Sequence, residues 1–228
     1  MIPKIIWQTY ESEYQDLPPL ALECANSWQE KNPDWEYNYV SGKERAEFVL
    51  NNFGEEWFTI YNSYTVNVLR STLWRYMCLY INGGLYADLD IFCKNPVNSW
   101  INLDLDFAVS KEPDNPGLTQ MIFASSKNDI FLENVLKEIK NIYYTNKINK
   151  TTYDNVVDYS IYQTGYVTFS NSIFKTIMSS SVDNFVIYSG KDAKRIHNES
   201  IHHYRAGKAE KIFGPNYIAW QTEEYKWN

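Results

Sequence analysis

The sequence predicts an α/β fold in which a mainly parallel central sheet is flanked by helices. Three observations carry this. Short, β-branched apolar runs alternate with longer stretches of helical periodicity. The 228 residues are 44% hydrophobic, enough for one globular core, and a single domain over 1–228 is expected. A glycine pair leads into a short strand closed by two aspartates, and open α/β sheets bind ligands at the carboxyl ends of their strands.

Residues 4–8 form an apolar, β-branched run and read as the opening strand. Pro18-Pro19 starts a helix that extends to about residue 29, with Leu20, Leu22, Ala25 and Trp28 on its apolar face. Asn32-Pro33-Asp34 is a turn, and 35–40 alternate as a second strand. Ser41-Gly42 leads into a helix through about residue 51, and 55–61 form another. Residues 65–80 predict a longer, mostly apolar helix with a polar line at helical spacing: Asn67, Ser71, Arg75.

After the aspartate strand, 107–110 and 121–125 read as strands. Residues 128–143 predict an amphipathic helix with Ile130, Phe131, Val135, Leu136 and Ile139 on its stripe. Residues 147–158 are polar and read as loop or frayed helix, and 165–178 as helix. Late strands are expected at 184–188 and 200–204.

The net charge of −7 excludes general nucleic-acid binding, since no basic excess exists to neutralise phosphates. Cys24, Cys78 and Cys93 show no metal-binding or disulfide spacing and read as reduced thiols. No signal peptide or membrane span is evident, so a cytoplasmic enzyme is expected, with docking as its one route to a membrane. Aromatic residues, at 17%, suit stacking on sugar rings; a composition biased toward Asn, Ile and Lys explains them as well.

The chemistry centres on Gly83-Gly84-Leu85-Tyr86-Ala87-Asp88-Leu89-Asp90. Strand alternation would place Tyr86, Asp88 and Asp90 on one face. Two carboxylates this close repel unless a cation sits between them. Hard oxygen ligands suit Mg2+ or Mn2+, which is typically shared with substrate phosphates. Arg75 lies in an apolar helix between Trp74 and Tyr76, where its charge needs a partner, and either a structural ion pair or a hold on Asp88 satisfies that need. Ile201-His202-His203-Tyr204 puts two of the three histidines side by side, facing opposite ways on a strand, so one of them is available to a given metal. Lys208 offers a positive charge for a diphosphate, and Trp7 a ring for a base or for the core.

Together these parts resemble family 32 glycosyltransferases, the DXD sugar-binding-region proteins, which include fungal initiating mannosyltransferases and are similar to clostridial glucosylating toxin domains. The central match is Arg70-Ser71-Thr72-Leu73-Trp74-Arg75-Tyr76 continuing through Asp90. Ile2-Pro3-Lys4-Ile5-Ile6-Trp7-Gln8, 32–37, 125–139, Thr164-Gly165 and 201–204 resemble further family segments.

The resemblance implies a GT-A fold and a metal-dependent, retaining transferase. It would move a hexose-type sugar from a UDP- or GDP-linked donor to a glycan or other acceptor. It implies Asp90 with His202 or His203 on Mn2+ (or Mg2+), and His202 is favoured by the commoner arrangement in related strands. Asp88 would lie toward the sugar and ribose and beside the metal. Tyr86 and Trp7 would flank the base, Ser71 and Lys208 would contact the donor, and Arg75 the donor sugar or Asp88. Two departures stand out. Thr72 replaces the family's usual Asp, and His203-Tyr204-Arg205 replaces the usual Ser-Trp continuation. Two other classes compete: a Mg2+-dependent phosphohydrolase with Asp88 as nucleophile, and a carbohydrate-binding or inactive transferase relic.

Overall fold

The computed structural model describes residues 1–112, 117–145 and 156–204. A six-stranded sheet runs in the order β2 (Glu36–Val40), β1 (Ile5–Thr9), β3 (Gly84–Ala87), β6 (Leu118–Ser125), β5 (Phe107–Lys111), β7 (Phe185–Tyr188). β1 pairs parallel with both β2 and β3, and β5 pairs parallel with β7. β6 runs against its two neighbours, so five strands share a direction, as the expected mainly parallel sheet requires. A separate antiparallel pair joins β4 (Ile91–Cys93) to β8 (Ile201–His203).

Alternation along β3 splits the core. Tyr86 faces a cluster with Trp74, Phe107, Phe123, Phe131 and Phe169, under α3 (Asn67–Asn82), α4 (Ile130–Thr145) and α6 (Tyr166–Ser179). Leu85 and Ala87 face the other cluster, with Ile6, Trp28, Trp35, Trp100 and Ile201. α1 (Pro19–Lys31) covers that side, and its Trp28 indole donates to the Ile91 carbonyl at 2.8 Å, tying helix to β4.

Most expected elements are present with shifted ends. The two helices expected at 42–51 and 55–61 are present as the two arms of α2 (Gly42–Ser63), which meet at a kink where Gly54 has a positive φ of 78°. Its start is a capping box between Ser41 and Glu44. α5 (Val156–Gln163) begins inside the stretch read as loop, most of which lies outside the described residues. Unforeseen elements are β4 and α7 (Gly190–Arg195) with the π-turn Ile196–Ser200 behind it. Ile130 is a correction: it is exposed at the first turn of α4, while Phe131, Val135, Leu136 and Ile139 are buried.

Gly84 is held by a close approach. Its φ is +105°, and a Cβ there would lie 2.5 Å from the Ile5 carbonyl oxygen, so only glycine lets β3 lie this close to β1.

Asp129 caps α4, accepting from the Phe131 N–H at 2.8 Å and the Leu132 N–H at 3.4 Å. Burial pushes its carboxyl up to about 7, against the pull of those two N–H groups toward the charged form. A folded-state value above the unfolded one (about 3.9) means the contribution is full below the unfolded value and is lost as pH rises through 7. Asp129→Asn keeps the cap and removes this titration, so wild type should weaken relative to Asp129→Asn between pH 4 and 7 in denaturant titrations. Asp129→Ala loses the cap at a cost of about 1 kcal/mol.

Candidate active site

The aspartate motif sits where β3 ends. The ladder runs through Ala87, and the Asp88 N–H still donates to the Met121 carbonyl at 2.8 Å. Then the chain turns: the Ile91 N–H closes back on the Asp88 carbonyl at 3.1 Å. The two carboxylates are therefore brought together by a β-turn, and not by strand alternation as the sequence suggested. Leu89 drops into a small cluster with Leu17, Ala21 and Ala25, which anchors the turn to α1.

Asp88 is held through one carboxylate oxygen and through its backbone. Arg75 Nη2 lies 3.1 Å from its Oδ1, and the Tyr86 phenol donates to the same oxygen at 2.7 Å. The Gln8 amide donates to the Asp88 carbonyl at 3.0 Å, and Gln8 Oε1 accepts from the Tyr37 phenol at 2.9 Å. Gln8 is fully buried; nothing in its spacing marked it, because its partner is a backbone atom far away in sequence.

Arg75 supplies the key charge. Its side chain is 5% exposed, its Nη1 donates to the Gln120 carbonyl at 2.7 Å, and its guanidinium lies 4.4 Å from the Tyr86 ring centroid. Nearby, the Tyr76 hydroxyl lies 2.6 Å from the Gln120 side-chain amide and 2.9 Å from the Thr164 carbonyl. Burial raises the Asp88 carboxyl above the usual carboxylate range; Arg75 opposes this and Asp90 adds to it. The rise is limited by water, since the Asp88 side chain keeps 29% of its exposure.

Asp90 is 5% exposed, and its Oδ2 lies 3.4 Å from His203 Nε2. The Tyr204 N–H donates to the Asp90 carbonyl at 3.0 Å, extending the β4–β8 ladder to the turn. Ile201 is fully buried, so His203, two residues on, shares its inward face. His202 faces the other way and packs edge-on against Tyr204. The structure thus brings His203, and not the favoured His202, to the aspartates. Burial works against a charged His203, but the Asp90 carboxylate outweighs it and raises the imidazole above the ordinary histidine value.

Of the remaining sequence candidates, Tyr86 reaches the aspartates through its hydroxyl alone. Tyr86 is 1% exposed, with Arg75 over its ring, and presents no face to a base. Trp7 packs edge-on against Trp74, and its indole donates to the Gly83 carbonyl at 3.0 Å, at the opposite end of β3 from Asp88. Ser71 is half-buried and donates to the Val68 carbonyl at 3.0 Å. Lys208 lies outside the described residues. The three cysteines are free thiols, as expected.

Two carboxylates and an imidazole offer hard oxygen and borderline nitrogen donors, a set suited to Mn2+ or Mg2+. Among the described residues no three such groups converge tightly enough to hold an ion alone.

Residues 18–106 match the family described as "Glycosyltransferase sugar-binding region containing DXD motif". The match contains the central block on which the resemblance rests; the segments at 2–8, 125–139, 164–165 and 201–204 lie outside it or run beyond its end. The chain is 29% identical over 139 residues to inositol phosphoceramide mannosyltransferase 3 of Schizosaccharomyces pombe, covering 60% of this chain and 37% of that protein. It is 28% identical over 105 residues to the initiation-specific alpha-1,6-mannosyltransferase of Candida albicans, covering 44% of this chain and 27% of that one. The matches therefore span well under half of these relatives' lengths. The fold is like that of the PaToxG glycosyltransferase: TM-score 0.58 and 16% identity, over 78% of this chain and 70% of that chain.

Replacing Arg75 by Met removes the charge opposite Asp88 and leaves a buried carbonyl at Gln120 unpaired. The expected cost is about 2–4 kcal/mol in chemical denaturation. A double-mutant cycle with Asp88→Asn should recover a favourable coupling; additive losses would show that the pair contributes nothing as a pair.

Proposed function

We propose that this chain, whose residues 18–106 carry a glycosyltransferase sugar-binding region, is a metal-dependent retaining glycosyltransferase. It moves a hexose from a nucleoside diphosphate to a glycan or related acceptor. The observation that supports this best is the division of labour between the two aspartates. Asp88 is locked by Arg75 and Tyr86, while the buried Asp90 faces His203.

In this reading Asp90 and His203 hold the ion, with Asp88 beside it directed at sugar and ribose hydroxyls. A divalent cation held there would supply Lewis-acid stabilisation of the departing nucleoside diphosphate. Arg75 keeps the Asp88 carboxylate in one orientation before substrate arrives, so little ordering is left to be done on binding. The acceptor hydroxyl approaches the face the diphosphate leaves, and a departing phosphate oxygen takes its proton. No side-chain nucleophile is assigned. Asp88 Oδ1 already accepts two hydrogen-bonding contacts, which ill suits the nucleophile of a phosphohydrolase.

The relatives' names make mannose the first sugar to test. Among the described residues no helix is long and apolar enough to cross a membrane. The acidic balance and free thiols suit a reducing compartment, and we place the reaction in the cytoplasm.

Thermal shift with GDP- and UDP-linked sugars, with and without Mn2+, tests this directly. One nucleotide should raise the melting temperature only with Mn2+, by an amount equivalent to about 2.7 kcal/mol at a hundredfold excess over Kd. The shift should vanish in Asp90→Ala and His203→Ala and persist in His202→Ala. A shift that ignores the metal, or survives Asp90→Ala, removes the metal-site assignment.

A further inference from the structure

We infer that His197 is a positioning residue: its hydrogen bond to Ser110 ties the entry of β8 to the main sheet and so sets the place of His203 beside Asp90. The inference rests on the metal-site reading above and extends it from the ligands to what fixes their spacing.

Two separate sheets have to be aligned. His203 stands on the β4–β8 pair, whereas Gln8 and Tyr86, which hold Asp88, belong to the main sheet. Ile91, Ile196 and Ile201 pack into the same cluster as Leu85, Ala87 and Ala108 of the main sheet. Apolar packing of this kind is non-directional, so it leaves the pair free to tilt or slide. Two strands of three residues each have few ladder bonds of their own. Directional contacts must supply the alignment.

They converge on the π-turn Ile196–Ser200, which leads into β8. The Lys94 and Asn95 N–H groups donate to the Ser200 carbonyl at 2.9 and 3.2 Å. The Asn95 side-chain amide donates to the Glu199 carbonyl at 2.9 Å, and Lys94 Nζ to the Asn198 carbonyl at 2.8 Å. These bonds tie the turn to the exit of β4, the partner of β8. They hold the pair together without placing it. His197 reaches the other way: its Nε2 lies 3.1 Å from the Oγ of Ser110, a buried residue of β5. β5 and β3 share a direction, so Ser110 lies near the same edge of the sheet as Asp88. The β5–β6 register shifts between Val109 and Lys111, and such an irregularity re-aims the side chain it carries.

The bond does not depend on the charge of the imidazole. The Ser110 hydroxyl donates its one proton to the Lys111 carbonyl at 3.1 Å, which leaves its oxygen to accept from His197 Nε2. An Nε2–H is present in the charged ring and in one neutral tautomer, and either makes the contact.

The test separates placement from stability. Ser110→Ala and His197→Phe each remove the bond; Ser110→Thr and His197→Gln keep a hydroxyl and an amide N–H in its place. In metal-free protein, exchange of the Tyr204 N–H, which donates to the Asp90 carbonyl, should quicken about fivefold in the first two variants. The Asp88 N–H, bonded to Met121, should keep its wild-type rate. With nucleoside diphosphate present, the Mn2+ concentration giving half the thermal shift should also rise about fivefold in the first two variants, and stay within about twofold of wild type in the second two. The double variant should match the singles, since both lose one and the same bond. A lower melting temperature with Tyr204 exchange and Mn2+ requirement unchanged would mean that the bond only stabilises the fold, and would overturn the inference while the metal-site reading stands. A wild type with no Mn2+-dependent shift would overturn the metal-site reading itself, and the role given to His197 with it.

Discussion

Everything at this site depends on one buried positive charge. A guanidinium inside a helix–sheet interface is tolerated only when its charge and donors are met. Arg75 meets its charge with the Asp88 carboxylate at Nη2, places Nη1 on the Gln120 carbonyl and lies over the face of Tyr86. Those three partners come from the aspartate turn, from β6 and from β3. One side chain therefore fixes where the turn begins relative to both strands beside it. The backbone of Asp88 is pinned separately, through Gln8 on β1 and Met121 on β6. A carboxylate held through its side chain and through both backbone polar groups has little freedom left to lose.

The surrounding architecture serves this constraint. Tyr86 is a core residue by its ring and a site residue by its hydroxyl, so the packing under α3 and the orientation of Asp88 are one problem with one solution. On the other face, Trp28 ties α1 to β4, and Leu89 ties the turn to α1. The turn is clamped from both layers, which is how a loop at a sheet edge acquires the rigidity of the sheet.

Much of this was legible in the sequence, for identifiable reasons. An amphipathic stripe marked α4, alternation marked β2, and an apolar β-branched run marked β1. Gly54 separated two helical patterns that the chain does break there. The block from Arg70 to Asp90 announced itself because an arginine in an apolar helix and paired acids after glycines are both costly without a purpose. What failed were inferences from spacing alone. Three-residue β4 is too short to show a period, and without it the aspartates seemed to end a strand when they occupy a turn. Burial of Ile201 decides which histidine faces inward, and burial is a tertiary fact. The resemblance puts Tyr86 and Trp7 beside the base, and a sequence does not reveal that an arginine lies over the Tyr86 ring or that Trp7 packs edge-on against Trp74. Gln8 and Gln120 are ordinary glutamines until their distant hydrogen-bond partners are in place.

The pairing of β4 with β8 has a consequence for how the protein comes into being. Asp90 and His203 meet only because Ile91 is registered against His203, across a stretch of chain that includes β5, β6 and β7 of the main sheet and the helices α4 to α7. Contacts of such long sequence separation form late, after the intervening loop entropy has been overcome. During synthesis the aspartates, Arg75 and Gln8 can find one another while the histidine is still unmade. The imidazole is then the last group to arrive, and its docking is the event that converts a folded sheet edge into a finished site. A growing chain would hold its shape well before it gained its chemistry.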